Sequence, residues 1–322
     1  MGENMSRHSL FIFNFSEKAN FLLKLLIMLL LVVVFCYYIM PQYSENYNAS
    51  LIDKVERLEN TEGAKVVLLG NSNLAFGIDS QLMEEELDMP VINMGLHGGL
   101  GNPFHEEMAR INVCEGDIYV LCHTNYGEPR NLVDPVLTWT VLENHWNLWQ
   151  ILRIEDILPM IKAYPQYLRK CLDLYINEDG NIEGEGAYFR DSFNEYGDVI
   201  YERTENLYEF TKVIPASVSD DTIKGINELA QWLNKRGAYL VVAGYPIGKG
   251  ENTADSSEFV ALQKELESKL DCPVISDFTD YMYEYQYFYD TEWHLTNEGA
   301  VMRSQQLIRD ILDWKNGVNA SE

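Results

Sequence analysis

The chain has 322 residues, enough for one large domain or two small ones, and 47% of them are hydrophobic, so a sizeable core is expected rather than disorder. Its formal net charge of -26 repels nucleic acid and anionic lipid at long range, which removes both as partners. The five cysteines, Cys36, Cys114, Cys122, Cys171 and Cys272, are scattered, with neither a Cys-x-x-Cys pair nor zinc-ligand spacing. They read as buried free thiols, and no metal or cofactor is expected.

Residues 21–40 are almost wholly apolar, interrupted only by Lys24. That length matches the roughly 20 residues a helix needs to cross a bilayer core. Lys24 can snorkel at one end, and Tyr37 and Tyr38 suit the aromatic belt at the other. A cleavable signal fits less well, because the run closes on Tyr37-Tyr38-Ile39-Met40-Pro41 with no small-residue cleavage site. Arg7, Lys18 and Lys24 precede or open the span, and Glu45 and Asp53 follow it. The positive-inside rule then places residues 1–20 in the cytoplasm and the rest outside. The expectation is a single-pass protein of the cell membrane with an extracytoplasmic domain. Residues 41–63 read as a stalk, with Leu51, Val55 and Leu58 at helical spacing.

From residue 64 the pattern is that of an α/β domain. Short apolar runs at 65–69, 91–94, 117–122, 238–243 and 273–276 predict five buried strands. Between them, Asp79 caps a helix running to Leu87, and further helices are expected over 106–113, 221–235, 256–270 and 297–314. Strands alternating with helices imply a three-layer sandwich around a mostly parallel five-stranded sheet. Residues 129–214 break the alternation and read as an insertion. It starts with a Trp-rich, helix-like part and continues into an acidic, Gly- and Tyr-rich part over 177–201. Its acidic run, 177–183, lacks the alternating oxygen ligands of a calcium loop.

Two segments carry the chemistry. The first strand runs into Gly70-Asn71-Ser72-Asn73, which places a serine at the carboxyl end of a strand, where α/β sheets hold their ligands. Just before the last helix comes Asp290-Thr291-Glu292-Trp293-His294. A serine becomes a nucleophile when an adjacent base takes its proton, and that base needs an acid on its far nitrogen. Ser72, His294 and either Asp290 or Glu292 meet this requirement, with Asp290 preferred. His97, His105 and His123 also fall near the expected mouth.

Strand–Gly–x–Ser near the domain start, with an acid and a His before the final helix, resembles the SGNH (GDSL-like) hydrolase superfamily. More narrowly, it resembles membrane-anchored bacterial members linked to cell-surface polysaccharide. The usual Gly-Asp-Ser is Gly70-Asn71-Ser72 here, and the acid lies four residues before the His rather than three. The resemblance implies a second block at Asn93-Met94-Gly95-Leu96-His97-Gly98, with the Gly98 amide in an oxyanion hole. It implies a third at His123-Thr124-Asn125, with Asn125 in the same hole beside the Ser72 amide. The implied activity is that of a serine esterase or O-acyl (acetyl) transferase acting on an acylated cell-surface glycan or a small ester, without cofactor. A polytopic membrane acyltransferase is the implied partner if transfer is the reaction. The alternative of another class is an idle scaffold or glycan-binding subunit of a polysaccharide assembly complex.

Overall fold

The structure is a computed structural model that describes residues 17–40, 43, 45–127, 130–143, 145–176, 186–207, 213–249 and 255–319. The acidic run at 177–183 and the first 16 residues lie outside these. Helix α1 (Glu17–Ile39) is long and apolar enough to cross a membrane, and its side chains from Phe21 to Tyr38 are mostly exposed.

The short helix at Leu51–Asn60 (α2) does not act as a spacer. Leu51, Val55 and Leu58 are buried, and so is Lys54, whose ammonium donates to the Asn93 carbonyl at 2.9 Å and to the Gly197 carbonyl. Burial pushes the Lys54 amine down to about 7 against the pull of Asp198 and Asp53. Gly197 must be glycine: its φ is +96°, and a Cβ there would meet the Asn93 carbonyl oxygen at 2.3 Å. Helix α2, within the stretch read as a stalk, therefore forms part of the domain's own wall.

Strand β1 (Val66–Gly70) leads through α3 (Ser72–Ala75) and α4 (Ser80–Leu87) to β2 (Val91–Asn93). The Asp79 side chain caps α4 by accepting the Leu82 amide at 3.1 Å, as the sequence predicts. Helix α5 (Asn102–Glu107) follows, earlier than the expected 106–113, because Pro103 sits in its first turn where a missing N–H costs nothing. Strand β3 (Ile118–Cys122) comes next. Helices α6 (Pro135–Leu142) and α7 (Ile154–Ile176) then occupy the insertion, and α8 (Asp220–Asn234) precedes β4 (Tyr239–Val242). Strand β5 (Ile247–Lys249), α9 (Ser256–Lys269), β6 (Met282–Glu284) and α10 (Asn297–Asn319) complete the chain.

The main sheet is parallel, in the order β2-β1-β3-β4. The expected fifth strand at 273–276 is reduced to a single parallel bridge, Val242 to Val274. Pro273 has no N–H to extend a ladder, and Ser276 turns its hydroxyl to Asp310 instead. Strands β5 and β6 form a separate parallel pair that periodicity did not announce, each being three residues long.

Alternation along the strands sorts the core into two faces. Val67, Leu69, Ile92, Tyr119, Leu121, Leu240 and Val242 pack with side chains of α2, α5, α8 and α9. Val66, Leu68, Ile118, Val120 and Val241 pack with Met83 and Leu87 of α4 and with Leu307, Ile308 and Ile311 of α10. Each such aliphatic side chain, taken from water, contributes about 1.5–3 kcal/mol. All five cysteines are free; Cys122, Cys171 and Cys272 are buried, and Cys36 and Cys114 are half-buried.

Candidate active site

The strand order reverses between β1 and β3, since β2 lies on one side of β1 and the next strand in sequence on the other. That crevice, at the carboxyl ends of the strands, is where open α/β sheets place ligands. Ser72 sits at its mouth. Asn71 shapes the turn: its Oδ1 accepts the Asn73 amide at 3.0 Å, and its Nδ2 donates to Thr124 Oγ at 2.8 Å, tying the turn to the loop after β3. Asn73 is fixed in turn by the buried Arg303, which donates to its carbonyl at 2.7 Å and its Oδ1 at 2.8 Å. Ser72 opens α3, so its own amide has no acceptor within the helix.

His294 arrives from the other end of the chain. The segment before α10 folds back on itself: Tyr289 donates its amide to the His294 carbonyl at 2.9 Å, and the Thr291 hydroxyl accepts the His294 amide at 3.1 Å. This tight return brings residues four apart face to face. His294 Nδ1 lies 2.7 Å from Asp290 Oδ1, and His294 Nε2 lies 2.8 Å from Ser72 Oγ. The imidazole is buried and lies flat on the Phe76 ring, with centroids 4.0 Å apart and planes 6° apart. Sequence distance plays no part in this meeting; 222 residues separate Ser72 from His294.

Tyr188, from the insertion, joins this set, and no motif marked it. Its hydroxyl donates to Asp290 Oδ2 at 2.5 Å and lies 3.3 Å from His294 Nδ1. Burial pushes the Asp290 carboxyl up, but the hydrogen bond and charge of His294 and the Tyr188 hydroxyl outweigh it and hold the group below its usual value. Burial, and then the bond to Asp290, push the Tyr188 phenol well up, so it stays protonated and able to donate. Arg203, also from the insertion and buried, donates to the carbonyls of Phe76 at 3.2 Å and Leu295 at 3.0 Å. It thereby links the end of α3 to the residue after His294. Burial pushes its guanidinium down to about 10.

The other expected residues fall as follows. Glu292 has no hydrogen bond to His294, whose Nδ1 is occupied by Asp290 with Tyr188 alongside. Gly98 stands beside the nucleophile turn, where a Cβ added to it would lie 3.6 Å from Asn71 Cβ. The exposed His97 shapes that loop: its Nδ1 accepts the Gly99 amide at 2.9 Å. Asn125 follows Thr124 on the adjoining loop, with Oδ1 accepting the Gly127 amide at 2.8 Å and its carbonyl taking the Asn102 side chain at 2.7 Å. His105 and His123 lie in the interior rather than at the mouth. Burial, then the neighbouring His123, push the His105 imidazole down to about 3, so it stays neutral. Among the described residues, no group of three or more His, Cys, Asp or Glu side chains is placed to hold a metal ion.

Comparison with protein-family models, with curated proteins and with solved structures finds no match.

Proposed function

We propose that this domain is a membrane-anchored serine esterase or O-acyltransferase of SGNH type, acting on an acylated cell-surface glycan. One observation carries the reading: an unbroken hydrogen-bonded chain from Ser72 Oγ through His294 to Asp290, at 2.8 and 2.7 Å. In the proposed reaction, Ser72 Oγ attacks the acyl carbonyl while His294 Nε2 takes its proton. Asp290 fixes the ring with Nδ1 protonated and balances the imidazolium that forms. Negative charge then develops on the carbonyl oxygen. The Ser72 and Gly98 amides and the Asn125 side chain are the donors that would receive it, each worth about 10²–10³ in rate. The glycan alkoxide leaves with the proton from His294. Water, or a second sugar hydroxyl, enters along the same path and releases the acyl group from Ser72.

The acyl-glycan substrate rests on the family resemblance and on α1, which would hold the site against a membrane where such polymers are made or displayed. The cationic residues at the start of α1 and before it support an extracytoplasmic domain. The test is turnover of p-nitrophenyl acetate by the full chain beside Ser72→Ala and His294→Ala. A parent that turns over and two variants reduced by about 10⁴–10⁶-fold support the reading. A folded parent with no turnover contradicts it and leaves a scaffold or glycan-binding role.

A further inference from the structure

The end of the apolar helix is seated on the domain. Ile39 and Met40 are buried, the Tyr164 hydroxyl lies 3.7 Å from Met40 Sδ, and Tyr38 meets the Tyr175 ring edge-on at 5.7 Å. Three residues on from Met40, the Tyr43 amide donates to Glu143, whose other carboxylate oxygen takes the Tyr167 hydroxyl at 2.6 Å. Tyr164, Tyr167 and Tyr175 all belong to α7, and Glu143 ends α6. Helix α1 therefore lands on the helical part of the insertion.

Helix α7 has two unlike faces. Met160, Tyr167 and Cys171 are buried. Nearly opposite them, Ile154, Leu158, Ile161 and Ile176 are 87%, 57%, 61% and 65% exposed. The first three recur at i, i+4 and i+7, and the fourth falls on the same side of a 3.6-residue period, so they form one row. The exposed Lys162 and Arg169 edge that row. Isolated apolar side chains on a surface are ordinary, but a row of them along one helix calls for a cover. The cover is named by what adjoins it: the same helix receives the end of α1.

We infer that α7 lies in the surface of the bilayer that α1 enters, with Ile154, Leu158, Ile161 and Ile176 at the acyl boundary and Lys162 and Arg169 reaching the headgroups. This rests on the reading of α1 as a membrane span. With a chain charge of -26, the contact is apolar rather than electrostatic, so it holds on uncharged phosphatidylcholine. The insertion then has two ends with two tasks. Helix α7 rides on the membrane, and the stretch carrying Tyr188 and Arg203 braces the catalytic histidine, which fixes the height and tilt of Ser72 above the lipid.

The test uses the full chain with Cys36→Ala and Cys114→Ala, which leaves only buried thiols. A bimane probe is attached at Leu158→Cys, Ile161→Cys, Lys224→Cys on α8, or Leu30→Cys within α1. Each protein is placed, one copy per disc, in phosphatidylcholine nanodiscs containing lipid with a nitroxide at the fifth acyl carbon, after circular dichroism has verified its fold. The probes at Leu158 and Ile161 should lose about half or more of their emission, as befits groups about 5–10 Å into the headgroup–acyl boundary. The Leu30 probe should be quenched and the Lys224 probe should not. Quenching at Leu30 without quenching at Leu158 and Ile161 overturns the docking and leaves the span intact. No quenching at Leu30 overturns the span, and the docking with it. Shielding of α7 that appears only in discs loaded with two copies assigns the face to a second chain and also overturns the proposal.

Discussion

Among the described residues, two imidazole–carboxylate pairs differ in what surrounds them. His294 meets Asp290 at 2.7 Å, and His123 meets Glu106 at 3.0 Å. Around Glu106, the second carboxylate oxygen is bound by Arg130 at 2.7 Å, and His123 Nδ1 is buried without a hydrogen-bond partner among the described residues. Around Asp290, the second oxygen is bound by a neutral phenol, and the far nitrogen of His294 faces a half-buried serine hydroxyl. A fixed guanidinium satisfies a carboxylate permanently and leaves its histidine a structural part. A phenol satisfies one oxygen and leaves the negative charge free to stabilise a histidine that becomes charged during turnover. The same two functional groups, imidazole and carboxylate, thus give a core strut in one place and a candidate base in the other.

Matched substitutions sharpen the contrast. Asp290→Asn should lower kcat for p-nitrophenyl acetate by about 10⁴-fold with little change in fold, because the amide reverses the ring's tautomer. A loss under tenfold would break the distinction between the pairs. Tyr188→Phe should cost about ten- to a hundredfold in kcat, the worth of one hydrogen bond to a charged group, with KM nearly unchanged. Glu106→Gln should leave kcat near the parent's and instead lower stability by about 1–3 kcal/mol, read from urea unfolding, because buried partners lose their charge-assisted bonds.

The smallest effect concerns acid. Asp290 sits below its usual value when folded, so the unfolded chain binds more protons over the interval between the two values. Its contribution to stability is complete above the unfolded value and is lost as pH falls through the folded one. The Asp290→Asn variant should therefore lose less Tm than the parent between about pH 7 and pH 3. Equal losses would show that the carboxylate has no such preference.

The sequence carried the site better than its surroundings. Ser72, Asp290 and His294 were legible as candidates because Ser72 follows a strand end and Asp290 and His294 fall in one short motif just before the last helix. Gly98 lies beside Asn71, and Asn125 follows Thr124, which Asn71 binds, so both expected residues fall on loops next to the nucleophile turn. Tyr188 and Arg203 were not legible. They come from an irregular stretch whose backbone has no period, and their roles depend on where the fold delivers them. Lys54 was not legible either: no motif marks it, and its burial depends on two backbone carbonyls that the fold brings to its ammonium. The fifth strand failed for a third reason, since an apolar run that begins with proline lacks the donor that continued pairing needs.

The claim that Ser72 is an activated nucleophile is tested most directly by covalent labelling. The full chain, treated with a fluorophosphonate and analysed by peptide mass spectrometry, should carry the adduct on Ser72, and His294→Ala should carry almost none. An unlabelled Ser72 in the folded parent, or equal labelling of parent and His294→Ala, would contradict the account.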